Sequence, residues 1–187
     1  MSKVSTTQRT KQIGVDSGAP FQWPDATSTA QLVLDEALAF CARKADLQDA
    51  QMVVEQLREG ESLVCHYCRY GLAKNVAESI GSLDDNVKAV YTVDYDATPE
   101  DRCFSSETQT SPIHLIVWAE RKTDALNALV EALDRALVQV YSEMIEASQL
   151  AHLLDVQVVD DADVEARVGY GALLTSMYNR PIQVWER

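Results

Sequence analysis

The sharpest chemical signal in this chain is a run of four residues, Cys65-His66-Tyr67-Cys68. Two thiols spaced in this way form a dithiol, half a metal site or a chance pair. If all four residues were strand, the cysteines would lie on opposite faces, with Cα atoms about 10 Å apart. A disulfide needs less than ~7 Å, so the pair works only if the chain turns at Tyr67 or Cys68. A helix starting near Cys68 would then offer N–H groups that stabilise a thiolate, and His66 would favour it further. Cys65 and Cys68 are therefore the candidate catalytic residues. The alternative is that both are packed and unreactive, as free cysteines commonly are.

A metal needs more ligands. Zinc takes four, from Cys, His or carboxylate, and zinc or iron is the cofactor such a cluster would imply. The candidate ligands are Cys65, His66, Cys68, Cys103 and His114, although no second Cys-x-x-Cys and no Cys-x-x-His accompanies them. His114, between Ile113 and Leu115, also suits a core or edge position with its hydrogen bonds satisfied. Two acidic groups offer oxygen donors: Asp94, Asp96, Glu100 and Asp101, and Asp160, Asp161, Asp163 and Glu165. Neither has EF-hand spacing, and both read as solvated turns. Nucleophile-elbow, zincin, dinucleotide and P-loop motifs are absent. Tyr67, Tyr70, Tyr91, Tyr95, Trp118 and Tyr170 could line a cofactor cavity, or serve as ordinary core.

The chain carrying these residues has 187 positions, with 16 basic and 29 acidic side chains and a net charge of −13. That balance argues against nucleic acid and anionic membrane surfaces, whose affinity comes from clustered Lys and Arg. Here the only adjacent basic pairs are Arg43-Lys44 and Arg121-Lys122. Four cysteines are too few for a disulfide scaffold. No long apolar run suggests a membrane span, and residues 1–30 hold no signal-like apolar stretch. A cytoplasmic location is expected.

Residues 1–28 read as a polar arm, with Phe21 and Trp23 as its anchors. A helix capped by Ser28 or Thr29 follows; Ala30, Val33, Leu34, Ala37, Leu38 and Cys41 form its buried face. Asp46 either caps a second helix or lies within one long helix ending at Gly60. Residues 62–68 read as a strand, 71–81 as a short helix stopped by Gly81, and 87–95 as the best strand, with its odd positions sharing one face. After a long loop, 96–111, come a strand at 112–119, a long helix at 122–147 and a strand at 152–159. The long helix should bury Leu133 and Leu137 against the sheet. Tyr141 and Met144 should be covered by the 30–58 helices, the C-terminal segment or a second subunit. Ile182, Val184 and Trp185 suggest a short closing strand.

The order β-α-β-β-α-β over 61–160 is that of an α+β, ferredoxin-like split βαβ core with a four-stranded antiparallel sheet. It would be preceded by helices at 29–59 and followed by an extension at 161–187, all in one domain. In that topology strands 61–68 and 112–119 are neighbours, so His66 and His114 could meet across them. A dithiol between strand and helix, followed by Pro112 at the head of a strand, also resembles the thioredoxin-like family. That fold would need a hairpin after Ala119, which the sequence does not offer. The expected function is a non-catalytic, homo-oligomeric assembly or small-ligand-binding protein. The alternative is a thiol or metal enzyme centred on Cys65 and Cys68.

Overall fold

The computed structural model describes residues 25–93, 110–147, 150–178 and 180–187. Cys103, most of the 96–111 loop, the first acidic group, Tyr95, Phe21 and Trp23 lie outside them. The first helix, α1 (Ala26–Ala45), is capped by Asp25, whose side chain accepts from the Thr27 N–H; the cap thus falls earlier than Ser28 or Thr29. Asp46 ends α1 in the left-handed conformation, and Asp49 caps a separate helix, α2 (Ala50–Arg58). The next element is a single helix, α3 (Ser62–Leu83). β1 (Val87–Thr92), β2 (Ile113–Ala119), α4 (Asp124–Ile145), β3 (Leu154–Val159), α5 (Asp161–Ala166), α6 (Gly171–Leu174) and β4 (Ile182–Glu186) complete the order.

The class is α+β, but the ferredoxin-like core is not formed, because its first strand is helix. Cys65 donates its N–H to the Glu61 carbonyl at 2.9 Å, and the helix continues through Gly71. That glycine is where α1 crosses α3. A Cβ there would sit 3.0 Å from the Ala37 carbonyl oxygen and 3.1 Å from its Cα. Gly81 likewise lies inside the helix, where a Cβ would come within 2.4 Å of the Trp185 indole. Both glycines admit a close neighbour; neither one breaks the helix.

The sheet has the order β3-β2-β1-β4. β1 runs antiparallel to β2 and β4, whereas β2 and β3 are parallel and joined through α4. The sheet is therefore mixed. A bulge between Val87 and Ala89 breaks the expected alternation, so Val87 and Val90 face the helices while Ala89 and Tyr91 face the other way. α3 and α4 cover the first face, and α1 lies across both. Leu133, Leu137 and Tyr141 are buried there, and α1 and α2 supply the covering over the far end of α4. Arg58 of α2 donates from Nε and Nη2 to the Met144 carbonyl (3.0 and 2.7 Å), answering an orphan acceptor at the α4 C-terminus.

On the opposite face, Leu174 packs with Ala89, Tyr91, Ile116 and Val159. The second acidic group anchors this layer. Asp160 and Asp163 form a capping box on α5. Asp161 accepts from Lys88 Nζ at 2.7 Å and from the Trp118 indole N–H at 2.9 Å, and Asp163 pairs with Lys122 at 2.5 Å. No helix among the described residues is long and apolar enough to cross a membrane.

Candidate functional site

Cys65 and Cys68 sit three residues apart within α3, on its inward side, 4% and 0% exposed. Cys41, from α1, faces the same region, and its thiol lies 3.4 Å from the Val64 carbonyl oxygen. Tyr141 closes the group from α4. Burial pushes the Cys41 thiol up to about 11, and nearby Cys65 adds to the effect. Burial also raises Cys65 and Cys68, against an opposing pull from the Arg69 guanidinium. Arg69, itself buried, donates to the carbonyls of Ser111 and Pro112 and so fixes the start of β2 onto α3. A thiolate is the reactive form, and this surrounding disfavours it.

The expected ligands do not converge. His66 is half-buried on α3, edge-on to Tyr67. Because 62–68 is helix, it is no cross-strand neighbour of His114. Among the described residues no group of three His, Cys, Asp or Glu side chains is placed to hold a metal.

His114 belongs to a different arrangement. It pairs with Asp155 in the parallel register of β2 and β3, and its Nδ1 is 2.9 Å from Asp155 Oδ2. Gln157 donates to the other oxygen of Asp155 at 2.9 Å. A few residues upstream lies a second His–Asp pair that the sequence reading missed. Asp134, on the inner side of α4, is only 7% exposed. One oxygen accepts the N–H groups of Leu153 and Leu154, both at 2.9 Å. The other lies 2.8 Å from His152 Nδ1. A carboxylate only accepts, so Nδ1 carries a proton in this pair.

Asp134 and His152 of the second pair, and Asp155 of the first, line a groove of about 590 Å³ between α4 and the edge strand β3. Val130, Leu154 and Val156 form its apolar part; Glu131, Asp134 and Arg135 form its α4 wall; and His152 and Asp155 stand beside them. The groove offers donors and acceptors of both signs, including a histidine oriented through its Nδ1. Among the described residues that line it, none is Ser, Thr or Cys, so none of these offers the oriented imidazole a hydroxyl or thiol to activate. A second cleft of about 550 Å³ runs between α1 and α3, lined by Leu32, Glu36, Asn75 and Glu78 among others. It holds neither a thiol nor an imidazole.

Compared with protein-family models, curated proteins and solved structures, the chain finds no match.

Proposed function

We propose that this chain is a non-catalytic assembly or small-ligand-binding protein, a cytoplasmic homo-oligomer that works through the groove between α4 and β3. The observation that carries this reading is a division of labour. The groove between α4 and β3 has fixed polar groups but no Ser, Thr or Cys among its lining residues, while the described cysteines are sealed in the core. Such a surface is built to hold something, by an apolar floor and a few oriented polar groups. The alternative, a dithiol or a zinc or iron site at Cys65 and Cys68, draws on their shared helix face.

Light scattering on the full chain across the micromolar range tests the reading, with metal content and thiol reactivity measured on the same preparation. Self-association with slow thiols supports it. A monomer at every concentration, holding stoichiometric zinc or iron that a Cys65→Ser/Cys68→Ser variant loses, would overturn it.

A further inference from the structure

We infer that the β3 edge pairs with the β3 edge of a second copy of this chain, extending the sheet across a two-fold axis; this rests on the assembly reading and names its surface. Ile113 donates its N–H to the Leu153 carbonyl at 2.8 Å. In a parallel ladder the residues on either side of that bond then alternate. The odd-numbered residues of β3 bond to β2, and Leu154, Val156 and Val158 turn their backbone groups outward. The Leu154 N–H is taken by Asp134. The Leu154 carbonyl and both backbone groups of Val156 and Val158 have no hydrogen-bond partner among the described residues. Such a row is a template for another strand.

Among the described residues, several of the usual protections are missing from this edge. β3 reads Leu-Asp-Val-Gln-Val-Val, with no proline and no lysine. Its register with β2 runs unbroken through six residue pairs. The other edge strand, β4, has a register shift against β1, and Arg187 beyond it folds back onto Asp85.

The occupant follows from self-complementarity. Antiparallel pairing centred on Val156 sets Val156 against its own copy, exchanging two N–H···O=C bonds. Each Val158 N–H then meets the Leu154 carbonyl of the second copy, so every free donor of the edge is used and the occupied Leu154 N–H is not required. On the outer face the same register sets Asp155 opposite Gln157, avoiding like charges, whereas a one-step slip toward Leu154 would oppose Asp155 with Asp155. Glu131 and Arg135, side by side on the groove wall, give each copy both signs to offer the other.

The test is light scattering and amide exchange on the full chain, with two kinds of variant. Val158→Pro removes an outward N–H that makes no bond within the chain, at a position where an edge strand tolerates proline. It should shift the protein to monomer. Gln157→Glu should weaken association roughly two- to thirty-fold, through two symmetric like-charge contacts with Asp155, and Gln157→Lys should tighten it by a similar factor. The Val156 and Val158 amides should become protected as concentration rises. Because each copy carries −13, association should also tighten with added salt.

An associating wild type whose Val158→Pro form associates equally well would overturn the β3 pairing but leave the assembly reading standing. If Val158→Pro does not fold, opposite effects of Gln157→Glu and Gln157→Lys support the pairing, and identical ones overturn it. A wild type that is monomeric throughout overturns both readings and frees the edge for a strand from another protein.

Discussion

Replacing Asp134 with alanine should be among the most damaging single changes to this protein, and the geometry sets its size. The carboxylate accepts two backbone N–H groups at 2.9 Å, from Leu153 and Leu154, which are 1% and 6% exposed. Alanine leaves both donors buried and unanswered. A hydrogen bond to a charged group contributes about 1.5–3 kcal/mol, so the pair is worth about 3–6 kcal/mol. That is a large part of a total stability of about 5–15 kcal/mol. Asp134→Asn keeps an acceptor oxygen for the two donors and should cost about half as much. His152→Ala removes a ring whose side chain is 71% exposed and should cost about 1 kcal/mol or less. Urea unfolding followed by far-UV circular dichroism measures all three, and amide exchange at Leu153 and Leu154 locates the loss. An alanine variant within about 1 kcal/mol of wild type would refute the argument. So would His152→Ala matching Asp134→Ala, because the imidazole would then outweigh the backbone clamp.

Three further outcomes are expected. In a Cys103→Ser background, native protein at pH 8 should react slowly with a thiol reagent and quickly in urea, because the Cys41 thiolate becomes abundant only near its raised value of about 11 and Cys65 and Cys68 are also raised; a fast native phase lost in Cys65→Ser/Cys68→Ser would contradict this. Gly81→Ala should destabilise the fold by about 1–3 kcal/mol through overpacking, since its Cβ would overlap the Trp185 indole, and the Trp185 emission should change with it; unaltered stability and emission would show that the indole has room to move. The Lys88 hydrogen bond holds Asp161 below its ordinary 3.8, with Trp118 assisting. A depressed carboxylate stabilises above its ordinary value and loses that contribution as pH falls through the lowered one, so the Trp118 indole N–H resonance should move below pH 3.8, and at higher pH in Lys88→Met. A transition in wild type above that value would count against the pairing.

How much of this was readable from sequence depended on whether the signal was local. The buried face of α1 and the stripe of α4 follow the helical period. The strand at 113–119 was also legible from its apolar run. α3 was not, for a physical reason. It lies between α1 and the sheet and is buried around much of its circumference, so no polar face alternates with an apolar one. Leu63-Val64-Cys65 then looked like strand, and Gly71 and Gly81 looked like stops, although both serve close packing. The His152–Asp134 pair could not be seen, because its members are brought together by the return of the chain from α4 into β3. The His114–Asp155 pair needed a parallel register that the antiparallel expectation did not contain.

The position of β4 has a consequence for synthesis. β1 pairs with β2 soon after it emerges, but its other edge waits for Ile182–Glu186, beyond α4, β3, α5 and α6. A ribosome therefore exposes an almost complete sheet with β1 open on one side and the Gly81 notch not yet filled by Trp185. Such late, long-range closure slows folding and leaves a strand edge open to wrong partners. Chaperone dependence during translation should accordingly concentrate in the interval between the appearance of β2 and that of β4, and a chain stalled before Ile182 should be sticky even though its helical layer is already in place.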